Sequence, residues 1–204
     1  HHVSIEQSLN YLQSQSCHID TPNENSLPVV EDIPNRSVPI LTPFILSASA
    51  ADEDTSDVLS YTWEQIDSGV VTDSSFGPEN LSGANFRSLP PSGTGERYMP
   101  SLSSVLSGNL TLKNPNTLST WETLSSVPRD LNFGFTARDN AIGGGGVALK
   151  TMTVSVVDTD GAFRVTSPLA GLMYLVNEGH TVSWNVAGTN LAPMLADKVT
   201  ITLS

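Results

Sequence analysis

The sequence has few basic residues, one cysteine and no long apolar run. Its 204 residues include 9 Lys and Arg against 21 Asp and Glu, for a formal net charge of −12. Nucleic acids and anionic membrane surfaces both need clustered Lys and Arg, so the shortage of bases argues against both partners. Without a run of about 18 apolar residues, the sequence also predicts no membrane span. The acidic residues are therefore the feature to explain.

Cys17 is the single cysteine, so the chain cannot form an internal disulfide. Two interpretations are open from the residues alone. The thiol is either free or one half of a bridge to a cysteine outside this chain.

The first residues are patterned differently from the rest of the chain. Ile5, Leu9 and Leu12 recur at helical spacing and predict a helix over residues 3–14. Ser4 and Gln7 have the spacing of a capping box at its start. One short amphipathic helix ahead of a β-rich chain has little to pack against. We therefore expect residues 1–17 to be the tail of a preceding domain and residues 18–28, which are polar and proline-punctuated, to be a linker.

Alternating patterns begin near residue 29. Leu59, Tyr61 and Trp63 alternate with polar residues and predict a half-buried strand with its aromatic side chains inward. The apolar segment 43–50 is its expected partner strand.

A hairpin is predicted further along. Leu131, Phe133, Phe135 and Ala137 form one face of a strand, and a glycine-rich turn leads from it to a second strand over 147–158. Between the two regions the chain is loop-rich, with short strands expected near three residues: Phe86, Tyr98 and Leu110.

These patterns predict a mostly β fold. Residues 29–158 are expected to form an immunoglobulin-like antiparallel β-sandwich, preceded by the short helical tail. Residues 159–204 are expected to supply the first strands of a second immunoglobulin-like β domain, which is too short to close a sandwich core. The strands expected there lie at 163–168, 173–176, 180–188 and 198–204.

Acidic residues are concentrated in the loop before Leu59. Asp52, Asp54 and Asp57 are closely spaced, and Asp139, at the end of the predicted strand 131–137, is expected at the same end of the sandwich. Calcium takes six to eight oxygen ligands, often from closely spaced aspartates. The alternative is a solvated turn in which the acids form Asx-turns. Calcium is the one cofactor that the residues themselves suggest.

The tryptophans and two arginines have structural and functional interpretations. Trp63 and Trp184 lie on inward faces of strands and are predicted to fill the core. Trp121 lies in a polar loop and either contacts a protein or carbohydrate partner or caps the edge of the sandwich. Arg87 and Arg97 are predicted to pair with acids and to hold the long loop in place.

Several segments together resemble one known family. "SASAADEDTSDVLSYTWEQID" (47–67), "FRSLPP", "RYMPSLSSVLSG" and "LNFGFTARDN" are similar, in the same order, to the modules that follow the catalytic domain in secreted bacterial zinc metalloproteases of the reprolysin-like group. These modules are immunoglobulin-like or PKD-like. "FRVTSP" and "VSWNVAGTNLAPMLADKVTITLS" resemble the start of the next module. "VSIEQSLNYLQSQSC" resembles the final helix of the catalytic domain.

The resemblance implies a non-catalytic accessory region of a secreted, extracellular enzyme. Its partners would be its own catalytic domain, bridged through Cys17, and a protein or polysaccharide substrate. Zinc would belong only to that other domain. The motif H-E-x-x-H-x-x-G-x-x-H holds zinc in such enzymes, and none of the four histidines here is followed by Glu: His1, His2, His18 and His180. A module of a bacterial adhesin or surface stalk is the alternative.

Overall fold

The computed structural model describes residues 1–17, 19, 23–116, 118–168, 172, 173, 175 and 177–202. Within these ranges the chain is mostly strand with little helix, as the sequence predicts. The elements, in chain order, are α1 His2–Gln13, β1 Val29–Val30, β2 Arg36–Pro39, β3 Phe44–Ser47, β4 Ala50–Ala51, β5 Ser60–Gln65, β6 Glu96–Met99, α2 Leu102–Leu106, β7 Arg129–Arg138, β8 Val147–Val157, β9 Arg164–Ser167 and β10 Ser183–Asn185.

A four-stranded sheet in the order β2-β8-β7-β5 is the centre of the fold. β7 and β8 form the predicted hairpin, with Leu131 opposite Val154 and Arg138 opposite Val147. β5 joins β7 in antiparallel fashion, whereas β2 lies parallel to β8. The apolar residues that alternate along β7 and β8 face the core, and their burial fixes the register of the pair; β7 is buried on both faces over residues 133–137.

The β3–β6 pair packs against this sheet. Phe44 of β3 meets the ring of Phe133 edge-on at 6.1 Å between centroids. Trp63, predicted to fill the core, is 3% exposed and lies 4.8 Å from the ring of Phe135. The buried core consists of Val30, Leu46, Trp63, Phe86, Met99, Leu124, Leu131, Phe133, Phe135, Ala137, Met152, Val154 and Val156.

Segment 43–50 is not the partner of β5, contrary to the sequence prediction. β5 pairs with β7, and β3 pairs with β6. The chain leaves β3, passes through the short strand β4 and the acid-rich loop, and enters the other sheet as β5. Alternation shows which residues of a strand face inward but does not choose the partner strand, which is set by packing between distant segments.

The outer face of β5 is covered rather than solvated. Thr62 and Glu64, expected to face solvent, are 6% and 3% exposed. Helix α1 lies over Glu64 and over Thr136 of β7: the His2 side chain is 2% exposed, its Nδ1 is 3.1 Å from Thr136 Oγ1, and its backbone N–H donates to Glu64 Oε2 at 2.5 Å. The helix therefore buries polar groups that a bare sheet would leave in water.

Helix α1 begins before the predicted capping box. Ser4 lies inside the helix, and its carbonyl accepts a hydrogen bond from Ser8 Oγ at 2.8 Å. Leu9 and Leu12 are 39% and 57% exposed, while Ile5 is half-buried. Packing of this apolar face against another domain stays a prediction.

Only one of the three short strands expected in the loop-rich region is present. Tyr98 lies in β6, whereas Phe86 makes an isolated bridge to Glu122, and Leu110 accepts a hydrogen bond from Leu124 N outside any strand. The predicted pairing of Arg97 is present, because its Nη2 lies 2.9 Å from Glu122 Oε1. Arg87 is exposed and forms no ion pair with any described residue.

Among the described residues of 159–202, β9 and β10 form the one strand pair. Trp184 is half-buried there rather than part of the main core. A hydrogen bond of 2.9 Å from Phe163 N to Thr42 Oγ1 joins this region to the sheets. The strand expected at 198–204 is not formed over residues 198–202, and positions 174, 176, 203 and 204 of the expected strands lie outside the described residues. None of the described helices is long and apolar enough to cross a membrane.

Candidate metal site

The topology brings the predicted acidic residues to one end of the main sheet. Asp52, Asp54 and Asp57 lie in the loop that leads from β4 into β5. Asp139 directly follows β7, and β5 begins beside the end of β7 because Ser60 pairs with Arg138. Antiparallel pairing of β5 with β7 thus places the start of one strand and the end of the other at the same edge.

The three aspartates of the loop lie close together. One carboxylate oxygen of each lies within 4.8 Å of one carboxylate oxygen of the other two. The loop holds this shape through its own backbone: Asp54 N–H donates to Asp52 Oδ1 at 2.9 Å, and Asp57 N–H donates to the Asp54 carbonyl at 3.0 Å. Glu53 is exposed and takes no part in the group.

Two of the carboxylate oxygens are buried without a partner. Asp52 Oδ2 and Asp57 Oδ2 accept no hydrogen bond from any described residue. No described Lys, Arg or His forms an ion pair with Asp52, Asp54, Asp57 or Asp139. Buried anionic oxygens without a donor or a counter-charge are costly. A bound cation would satisfy them.

Asp139 is completely buried beneath the glycine-rich turn. Gly146 N–H donates to both of its carboxylate oxygens, at 2.8 and 2.7 Å, and Ala141 N–H donates to Oδ1 at 3.0 Å. A β-carbon at Gly146 would lie 2.8 Å from Asp139 Oδ2, and one at Gly145 would lie 3.0 Å from Oδ1. The glycines are needed because the turn's backbone lies directly on the carboxylate.

The linker segment completes the site, and sequence analysis did not find it. Asn25 Nδ2 donates to Asp139 Oδ2 at 2.8 Å, and Ser26 N–H donates to Asp54 Oδ2 at 2.6 Å. Asn23 Nδ2 donates to the Gly144 carbonyl at 3.1 Å. Asn25 Oδ1 accepts no hydrogen bond among the described residues and remains available as a neutral oxygen ligand. A cavity of about 310 Å³ lies between residues 23–25, the acid-rich loop and the glycine-rich turn.

The acids differ in protonation behaviour. Burial, with the charges of Asp139, Asp54 and Asp52, raises the pKa of Asp57. Burial also opposes ionisation of Asp139, but hydrogen bonds from Asn25 and from the backbone outweigh it and lower the pKa of that carboxyl. A raised pKa in the folded state means that ionised Asp57 destabilises the metal-free fold at neutral pH, and that protonation relieves the repulsion.

The donor set fits a hard cation. Asp52, Asp54 and Asp57 would supply carboxylate ligands, Asn25 can add an amide oxygen, and Asp139 adds charge while it orients Asn25. Calcium binds oxygen ligands of this kind in flexible geometry, whereas zinc sites are built from His and Cys. Within the described ranges, Asp52, Asp54 and Asp57 are the one such group of acids, His or Cys close enough to hold a metal.

The other predicted contact residues lie apart from this site. Cys17 is an exposed free thiol in this chain, so its pairing with a cysteine elsewhere stays a prediction. Trp121 is half-buried, 5.4 Å from the ring of Phe76, and its Nε1 donates to the Asn116 carbonyl at 3.2 Å.

Comparisons with known proteins assign no family. No protein-family model matches the chain, and a comparison with curated protein sequences finds no significant match.

Proposed function

We propose that this chain is a non-catalytic, immunoglobulin-like accessory module of a secreted zinc metalloprotease of the reprolysin-like group, and that its acid-rich loop binds a structural calcium ion. The part of the proposal that concerns this chain's own chemistry rests on the candidate metal site. One observation supports it most strongly. Two carboxylate oxygens of this group of acids are buried without hydrogen-bond partners, and no counter-charge lies beside the group.

The described layers agree with an immunoglobulin-like sandwich. The β3–β6 pair faces the four-stranded sheet, in which Trp63 packs on Phe135. At the edge of that sheet, β2 lies parallel to β8, so the sheet is mixed. Alternating burial in the second half of β8 supports the same assignment.

Calcium in this position would be structural. It would neutralise the acids of the loop between β4 and β5 and tie them to the segment at Asn25 and Ser26, which already bonds to Asp139 and Asp54. Bound calcium lowers the free energy of the folded state by mass action. Calorimetric titration should give about one calcium per chain, and Asp52→Asn with Asp54→Asn should abolish the binding heat.

The protease assignment rests on the resemblance of the segments and is tested outside this chain. The coding sequence upstream of His1 should contain H-E-x-x-H-x-x-G-x-x-H, the motif that holds catalytic zinc. Further immunoglobulin-like repeats at that place, with no zinc motif, would instead support the adhesin or stalk protein. Calcium-stiffened tandem modules suit that second assignment equally, so the metal titration does not decide between the two.

A further inference from the structure

Residues 23–26, which we call the clasp segment, lie across the candidate metal site. Asn25 Nδ2 donates to Asp139 Oδ2 at 2.8 Å, and Ser26 N–H donates to Asp54 Oδ2 at 2.6 Å. Both acceptors are carboxylates of the site. The attachment of the clasp segment to the sheets therefore depends on the electrostatic state of these acids.

Glu24 brings a further acid to the site. It is exposed and lines the cavity of about 310 Å³ together with Asp54 and Asp57. No described Lys, Arg or His forms an ion pair with Glu24. Like charges repel, so in the metal-free chain this carboxylate opposes the docking of the clasp segment. A divalent cation among the acids would replace that repulsion with attraction.

Asn25 would make a cation favour the docked clasp segment. Its Oδ1 accepts no hydrogen bond among the described residues, and an amide oxygen is a suitable calcium ligand. A cation held by Asp52, Asp54 and Asp57 gains this neutral ligand only while the clasp segment is docked. A ligand that binds one of two states more tightly shifts the population towards that state.

We infer that calcium at this site controls the access of proteases to the clasp segment. The segment is docked and protected when calcium is bound, and it is open to cleavage after Glu24 when calcium is removed. The inference rests on the proposed calcium site and assigns a regulatory role to it. After cleavage, helix α1 would be joined to the sheets only by noncovalent contacts, such as those of His2 with Glu64 and Thr136. Loss of calcium would therefore favour release of residues 1–24.

The test treats the whole chain with a glutamyl endopeptidase, in chelator and in millimolar calcium. This protease uses water to hydrolyse the peptide bond after Glu, which yields a carboxylate and an amine, and mass spectrometry measures the rate at each bond. Cleavage follows the population of the open form, so calcium should slow cleavage after Glu24 about tenfold or more. Glu178 is also exposed but does not line the cavity, and cleavage after it should keep its rate.

A variant of Asn23 weakens the docking without changing a carboxylate. Asn23 Nδ2 donates to the Gly144 carbonyl at 3.1 Å. Asn23→Ala should still bind calcium, but the ratio of the Glu24 cleavage rates in chelator and in calcium should fall about fivefold. Asn109→Ala is the matched control, because it breaks a bond of the same length, to Ser107 Oγ, away from the site. It should leave the ratio unchanged.

Calorimetric calcium titration of the same samples separates the inference from the proposed calcium site. Calcium binding with equal rates of cleavage after Glu24 in calcium and in chelator would overturn the inference and leave the calcium site standing. No calcium binding would overturn both. Equal slowing of cleavage after Glu24 and Glu178 would point to an effect on the protease or on global stability, and would also overturn the inference.

Discussion

At Gly146 the candidate metal site leaves no room for a β-carbon. An added β-carbon would lie 2.5 Å from Leu27 Cδ2 and 2.8 Å from Asp139 Oδ2. Gly146→Ala should therefore push the turn off the carboxylate and lower the free energy of unfolding by about 1–3 kcal/mol. Chemical denaturation measures this change.

Gly93→Ala is the matched control for that substitution. Nothing lies within 4 Å of a β-carbon at Gly93. We expect an unfolding free energy within about 0.5 kcal/mol of the wild type. Equal effects of the two substitutions would contradict the close packing of the turn on Asp139.

The buried ion pair of Arg97 and Glu122 joins β6 to the loop-rich region. Their side chains are 8% and 4% exposed, and Arg97 Nη1 also donates to the Trp63 carbonyl at 2.7 Å. Arg97→Met leaves Glu122 charged and buried, so it should cost about 3–5 kcal/mol in unfolding free energy. Lys113→Met breaks a pair whose side chains are about 60% exposed, and should cost no more than about 1 kcal/mol. Urea unfolding of both variants tests the ranking; a smaller loss for Arg97→Met than for Lys113→Met would refute it.

Among the elements, helix α1 should respond to pH. Its His2 ring lies against Gly134, facing Thr136, with Glu6, Glu64, Arg138 and the α-amino group nearby. Burial lowers the pKa of His2, the neighbouring acids oppose this, and the two cationic groups add to it. The stabilisation from neutral His2 is complete above the unfolded value of about 6.5 and is lost as the pH falls below it.

Hydrogen exchange of residues 2–13 checks this dependence. Amide protection of α1 should be lower at about pH 5 than at about pH 7.5. His2→Gln, which stays neutral, should remove most of the difference. An identical pH response in wild type and His2→Gln would show that another group controls the docking of the helix.

Elements differ in how well the sequence predicts them. The β7–β8 hairpin was predictable because Leu131, Phe133 and Phe135 alternate in one continuous segment and a glycine-rich turn follows. The partner of β3 could not be predicted, because β6 lies about fifty residues further along the chain. The short alternating pattern of β6 does not indicate which strand it pairs with. The burial of Glu64 depends on contact with the start of α1, which no local pattern encodes.

At the scale of the whole molecule, the candidate metal site combines three distant parts of the chain. Its acids were predictable, because Asp52, Asp54 and Asp57 are neighbours in sequence and Asp139 ends a recognisable strand. The contribution of Asn25 and Ser26 could not be predicted, because they lie in a polar, proline-punctuated segment. Such a segment has no hydrophobic periodicity from which its position in the fold could be inferred. Their contacts with Asp139 and Asp54 mean that a cation would join the linker to the sheets.

Metal binding and charge repulsion at this site can be separated by one substitution. Because burial and the charges of Asp139, Asp54 and Asp52 raise the pKa of Asp57, replacing it with neutral Asn should raise the thermal midpoint of the metal-free chain. The same Asp57→Asn change removes a ligand, so it should abolish any response to calcium.

The most direct test of the account is the thermal unfolding midpoint of the wild type and Asp57→Asn, each in chelator and in millimolar calcium. Calcium at a hundred times its dissociation constant adds about 2.7 kcal/mol, which raises the wild-type midpoint by about 5–10 °C. We predict that rise for the wild type, none for Asp57→Asn, and a higher midpoint for Asp57→Asn than for the wild type in chelator. An unchanged wild-type midpoint in calcium would contradict the claim that the aspartate cluster is a metal site.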